Sequence, residues 1–79
     1  MYFVYAIRSE VRNYIYVGIT SNLDKRINAH NNGYERTTKP YRPFRLIYKE
    51  KFENRREARE REKYFKTGKG KEFLRKLNE

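Results

Sequence analysis

The sequence predicts an α+β domain whose elements run in the order β-β-α-β-α-α. Three observations carry that expectation: two aromatic, β-prone runs separated by a short polar segment; a third apolar alternation from Pro43; and three later stretches with helical spacing and capping residues. At 79 residues, a chain buries only roughly 60% of its unfolded surface, so one compact core is the limit. A single domain over residues 1–79 is expected.

Tyr2 to Arg8 (YFVYAIR) is β-prone on both parities. Phe3, Tyr5 and Ile7 point one way and Val4 and Ala6 the other, so both faces of this strand should be covered. Ser9 to Asn13 is short and polar, fitting a hairpin connection to a returning strand over Tyr14 to Ile19. Direct pairing of Tyr5 with Tyr16, or a slip by an even number, leaves both hydroxyls on one face; a one-residue slip separates them. Ser21 and Asn22 are candidate caps of a helix ending near Asn31, with Asn32-Gly33 as its stop. On that helix Leu23 and Ile27 form a core-facing pair, and Arg26 and His30 fall just beside it, where a cleft could open.

Tyr34 to Arg42 (YERTTKPYR) is irregular and, with Arg45 just beyond, carries Arg36, Lys39 and Arg42. Pro40 and Pro43 argue against a helix there. The segment reads either as an arm tracking a phosphate backbone or as a solvated connector. Pro43 to Phe52 is the third strand, with Phe44, Leu46 and Tyr48 expected on one face and Ile47 opposite. Asn54 can cap a highly charged helix over Arg55 to Lys66, in which Ala58 and Phe65 are the inward candidates. Glu62 lies within about 40° of Ala58 on that helix, whereas Glu57 and Glu60 point away. Gly68 and Gly70 should interrupt it before a short amphipathic helix over Lys71 to Leu77, through Phe73, Leu74 and Leu77.

Twenty Lys and Arg against ten Asp and Glu give a formal charge of +10. So large an excess on a small body attracts polyanions, nucleic acid first and an anionic membrane surface second. Eight Tyr and five Phe accompany the cations, a mixture suited to stacking and phosphate contact as well as to filling a small core. Cysteine is absent, which excludes disulfides and thiolate metal sites and fits the cytoplasm. No apolar run is long enough to span a bilayer, and MYFVYAIR lacks the layout of a signal peptide.

The cleft candidates are Tyr5, Tyr16, Arg26, His30 and Glu62. Asp24 is the chain's one Asp, so a carboxylate-rich two-metal site is disfavoured, and no Ser-His-Asp relay has a local signature. The set does suit phosphodiester cleavage. One glutamate can hold Mg²⁺ together with waters, an arginine can neutralise charge building on the phosphorus, and a tyrosine or His30 can orient or deprotonate water. The plainer reading of Glu62 is an i,i+4 pair with Lys66 or an equivalent pair with Arg55 or Arg59, worth roughly 0.2–0.5 kcal/mol.

Taken in order, Phe3-Val4-Tyr5, Tyr16-Val17-Gly18, Leu23, Arg26, His30, Pro43-Phe44-Arg45-Leu46, Ala58-x-x-Arg61-Glu62 and Lys66-Thr67-Gly68-Lys69-Gly70 resemble the GIY-YIG nuclease domain, in its small stand-alone form, over essentially the whole chain. The resemblance implies a three-stranded antiparallel sheet flanked by helices with an active site on one sheet face. It makes Tyr5 and Tyr16 the paired motif tyrosines, Arg26 the transition-state arginine and Glu62 the sole protein ligand of Mg²⁺ or Mn²⁺. His30 would assist the base or the phosphate, and which tyrosine is the base stays open. Gly18 is the close-packing glycine, grouped with Arg36, Lys39, Arg42 and Lys69 as candidate substrate-binding positions. The implied activity is metal-dependent endonucleolytic cleavage of DNA, including structured or damaged DNA, ahead of RNA. The alternatives are a non-catalytic basic module that retains the fold, and a subunit whose activity appears only with a partner; a protein partner would also serve targeting. Two departures stand out: FVY replaces GIY, and Ile19 stands where DNA-repair members carry a lysine.

Overall fold

The computed structural model describes residues 1–77. Strand β1 (Tyr2–Ser9) is followed by β2 (Ile15–Thr20), helix α1 (Leu23–Asn31), a single 3₁₀ turn at Lys39–Tyr41, strand β3 (Phe44–Phe52), and helices α2 (Arg55–Phe65) and α3 (Gly68–Lys76). The three strands form one antiparallel sheet in the order β2-β1-β3. Being central, β1 is sealed on both sides: Val4, Tyr5, Ala6 and Ile7 are all fully buried, as apolar residues on both parities require.

The sheet divides the interior in two. On one face Val4, Ala6 and Val17 pack with Ala58 and Phe65 of α2 and Leu74 of α3. Burial of a side chain such as Phe65 or Leu74 contributes about 1.5–3 kcal/mol, which fixes these two short helices to the sheet. On the other face Tyr5, Ile7 and Phe44 pack beneath Leu23 and Ile27 of α1, joined by Tyr14, Tyr16 and Tyr41. The inward positions expected on α1 and α2 are therefore the ones observed.

Local chemistry sets the boundaries. Asn22 caps α1 by accepting the Lys25 amide, and Asn54 caps α2 by accepting that of Glu57. Gly33 follows α1 at φ +78°, the left-handed stop expected there. The break between the last two helices falls earlier than Gly68 and Gly70 suggested. Thr67 accepts the Gly70 amide at 3.2 Å and caps α3, so both glycines lie within its first turn instead of interrupting a helix. Pro40 sits in the 3₁₀ turn, where its fixed φ is tolerated.

One expectation about β3 is overturned. Ala6 pairs with Tyr48 but Ile7 pairs with Leu46, leaving Ile47 as an extra residue at a bulge. The added residue reverses parity, so Phe44 joins the Tyr5 side while Tyr48 packs with Ile47 on the Val4 side. There Tyr48 donates to Glu50 and Arg61 Nε binds the same carboxylate at 3.1 Å, a polar latch between β3 and α2. No described helix is long and apolar enough to cross a membrane.

Candidate active site

Tyr5 pairs across the hairpin with Gly18, and Tyr16 with Ile7. That register is offset by two residues from a direct Tyr5–Tyr16 pair, so the two rings share a face, with centroids 6.3 Å apart. Gly18 makes the arrangement possible. A Cβ at this position would lie 2.7 Å from Tyr5 Oη, 2.9 Å from Tyr5 Cζ and 3.0 Å from Tyr16 Cε2. Only a residue without a side chain lets the Tyr5 ring lie so close over β2.

Helix α1 brings two polar side chains over the rings. Leu23 and Ile27 face the core, which turns Arg26 and His30, one turn apart, towards the tyrosines. His30 is fully buried, its ring centroid 5.9 Å from that of Tyr5 and 4.9 Å from that of Tyr16. Tyr5 Oη lies 2.8 Å from His30 Nε2, and Arg26 Nε donates to the same oxygen at 3.2 Å. On its far side, His30 Nδ1 lies 2.8 Å from Thr38 Oγ1, and the Thr38 hydroxyl donates to the Glu35 carbonyl at 3.5 Å.

These bonds assign the protons. With its hydrogen given to Glu35, Thr38 Oγ1 is the acceptor for His30 Nδ1–H, so Nε2 accepts the Tyr5 O–H. The Tyr5 oxygen is left to accept from Arg26, which can only donate. The titration behaviour agrees. Burial, against the opposing pull of Arg26, raises the Tyr5 pKa to about 12; burial and the positive charge of Arg26 lower that of His30. Burial alone would disfavour a charged Arg26, but its bonds to Tyr5 and Glu35 hold the guanidinium protonated. The group is thus a neutral tyrosine, a neutral imidazole and a cation.

Two residues that hold this group, Glu35 and Thr38, are not among the candidates the sequence suggests. Arg26 Nη1 binds Glu35 Oε1 at 2.6 Å, with both side chains about one-third exposed, at 32% and 36%. Thr38, fully buried, holds His30. Both lie in the Tyr34–Arg42 segment, whose irregular pattern offers no periodicity to read. The one available clue was that Glu35 is the only acid in that cationic stretch. The segment is therefore pinned over α1 through Glu35 and Thr38, while Arg36, Lys39 and Arg42 are exposed on it.

Glu62 is placed differently. It lies on α2, whose Ala58 and Phe65 pack on the opposite side of the sheet from Tyr5. Its side chain is 20% exposed and pairs with Lys66 Nζ at 3.2 Å, the i,i+4 partner anticipated from spacing. Lys66 in turn lines, together with Tyr16, a groove that follows the β2 edge. The chain thus brings Tyr5, Tyr16, Gly18, Arg26 and His30 into contact, and leaves Glu62 apart from them, on the helix that packs against the other face of the sheet. Lys69 is exposed in the first turn of α3, on the Glu62 side of the sheet.

Among the described residues no group of three or more His, Cys, Asp or Glu could enclose a metal ion. The donor set available at Glu62 is one carboxylate tied only to a largely exposed lysine. That fits a hard, hydrated cation such as Mg²⁺, which keeps most of its waters, and not a metal needing three or four protein ligands.

The model of the GIY-YIG catalytic domain matches residues 1–78. A UPF0213 protein of Clostridium perfringens is 46% identical over 67 residues, covering 84% of this chain and 71% of the relative. The UPF0213 protein YazA of Bacillus subtilis is 40% identical over 66 residues, covering 82% and 66% respectively. The solution NMR structure of the UPF0213 protein BH0048 from Bacillus halodurans superimposes with a TM-score of 0.57 at 31% identity, over 98% of this chain and 85% of that one. Matched along nearly its full length by the family's model and by relatives of this identity, the chain belongs to the GIY-YIG nuclease family.

Proposed function

We propose that this chain is a divalent-metal-dependent endonuclease that hydrolyses phosphodiester bonds, with DNA ahead of RNA as substrate. The observation that carries the reading is the placement of Arg26, held by Tyr5 at 3.2 Å and Glu35 at 2.6 Å above the face that bears Tyr16. A guanidinium held by Tyr5 in this way stays in position to meet charge developing on a phosphate that takes the place of the Glu35 carboxylate.

The roles of the other residues follow from exposure. Tyr5 and His30 are fully buried, so they act by positioning: His30 holds the Tyr5 proton, and Tyr5 offers its lone pair to Arg26. Tyr16 is half-buried and lines the groove, so its hydroxyl is the one that meets substrate and orients the attacking water. Glu62 would hold Mg²⁺ or Mn²⁺ through its carboxylate, with waters completing the shell. The bound cation would supply Lewis-acid stabilisation of the phosphate and the departing oxygen. As phosphate arrives, the Glu35 carboxylate gives up Arg26, so one anion replaces another at the guanidinium.

The test compares wild type with Glu62→Ala on labelled duplex, single-stranded and branched DNA and on RNA, with Mg²⁺ or Mn²⁺. Metal-dependent products that disappear in the variant are expected. One feature favours the alternative of a non-catalytic binding module: Arg26 and Glu62 each already sit in an ion pair. Binding by both proteins with cleavage by neither would select that alternative.

A further inference from the structure

The groove beside β2 has the character of a binding site. It encloses about 520 Å³ along the edge of the sheet, where β2 has β1 on one side and, among the described residues, no strand on the other. Among the described residues, Lys66, Lys71 and Arg75 contribute three cations, the first of them paired with Glu62; Tyr14 and Tyr16 are its tyrosines, and no acidic residue lines it. Phe65 and Leu74, each 1% exposed, lie at its floor.

We propose that this groove seats a single nucleic-acid strand and leads it to Tyr16, so that the enzyme grips its substrate by one unpaired strand. The proposal rests on the nuclease reading for the identity of the polyanion, and on four features of the groove for the form of that polyanion.

The first feature is size. A volume of about 520 Å³ is that of a small-ligand pocket, room for about one or two nucleotides and not for the width of a duplex. The second is the disposition of charge. Lys71 and Arg75 are four residues apart on α3, hence on one face and about 6 Å apart along its axis, a row that suits successive phosphates of an extended strand. The third is an aromatic residue just before the strand that borders it. Tyr14 is stacked on Tyr41 with centroids 4.0 Å apart and planes 14° from parallel, so its ring is held in place before any base arrives. A preordered ring loses little freedom on binding, and stacking on it is indifferent to base identity. The fourth is continuity: Tyr16 belongs both to this groove and to the cluster around Tyr5 and His30. A sheet edge also accepts an added peptide strand, but the cations of Lys71 and Arg75, with no acid among the described lining residues, give that occupant no advantage over a polyanion.

The experiment measures anisotropy of a short fluorescein-labelled oligothymidine and of a blunt duplex of equal length, across a salt series. The proteins are wild type, Lys71→Glu/Arg75→Glu, the neutral Lys71→Ala/Arg75→Ala, and Lys49→Glu/Lys51→Glu on β3 as a charge-matched control. All four sites are exposed, and thermal melts verify folding. For the single strand, the groove variants should lose about tenfold or more in affinity, and the alanine pair should flatten the log-log salt slope by roughly 0.7 per phosphate contact removed. The control should shift it less than about threefold, and the groove changes should affect duplex binding no more than the control does. Equal loss in the groove and control variants, or equal loss for duplex and single strand, would overturn the proposal. Groove-dependent binding without cleavage by wild type would leave the groove standing and remove the nuclease reading instead.

Discussion

A methyl group placed on Gly18 should destabilise this protein, while the same change at Gly68 should not. At position 18 the new carbon would meet Tyr5 Oη at 2.7 Å and Tyr5 Cζ at 2.9 Å, well inside ordinary contact, and Tyr16 Cε2 at 3.0 Å. Neither ring can retreat cheaply. Tyr5 is fully buried and bonded to both His30 and Arg26, and Tyr16 is packed against His30. Overpacking of this kind costs about 1–3 kcal/mol. Against it stands the ordinary benefit of replacing a strand glycine, about 0.5–1 kcal/mol, so the net loss is on the order of 1–2 kcal/mol. For a domain of this size each kcal/mol is worth about 4–8 °C, which places the fall in Tm at roughly 4–16 °C. At position 68 nothing lies within 4 Å of the added carbon, and stiffening the unfolded chain should raise stability by about 0.4–1 kcal/mol. Thermal unfolding followed by circular dichroism reads both variants. A Gly18→Ala protein as stable as wild type would refute the close approach of Tyr5 to β2.

The remaining predictions concern the polar cluster. His30 has a lowered pKa from burial and Arg26, so below about pH 6.5 the unfolded chain binds more protons, and the stability His30 contributes is lost as pH falls. Tyr5, raised to about 12, contributes stability that is complete below about pH 10 and lost as pH rises from there. Melting curves across this range should show Tm falling at both ends, and His30→Gln should shrink the acid-side fall; an unchanged acid limb would contradict the assignment. Arg26→Ala should slow phosphodiester cleavage by about 10²-fold or more, and a loss under threefold in kcat would remove Arg26 from the reaction. Glu35→Gln removes both a competitor for phosphate and a support for Arg26. It should lower KM and kcat together by a few-fold each, the scale of a partly exposed pair worth about 0.2–1 kcal/mol, with Tm nearly unchanged; an unaltered KM would mean that Glu35 does not compete with substrate.

Periodicity explains which parts of this architecture could be read from residues alone. Leu23 with Ile27, and Ala58 with Phe65, repeat at helical spacing and do face their cores. The shared face of Tyr5 and Tyr16 followed from the parity of the hairpin, because every even offset gives the same answer. Tyr48 was misplaced because the bulge at Ile47 adds one residue that no local pattern announces. Gly68 and Gly70 looked like breakers because the cap from Thr67 acts through a hydrogen bond and leaves no hydrophobic trace. Glu35 and Thr38 meet Arg26 and His30 through the fold of an irregular segment, at separations of nine and eight residues, and such pairings have no period to detect. Glu62 and Lys66, one helical turn apart, were legible for the opposite reason.

The central position of β1 also limits how this protein can evolve. Its residues alternate between two interiors: Val4 and Ala6 hold α2 and α3 in place, while Tyr5 and Ile7 build the floor beneath Arg26 and His30. Adding or deleting one residue within the strand would exchange the two sets, carrying a phenol into the aliphatic core and leaving the imidazole facing a valine or an alanine. A deletion there would thus abolish packing and chemistry in a single event, with no partly functional intermediate. Strand β1 can therefore diverge only by replacement, one side chain at a time.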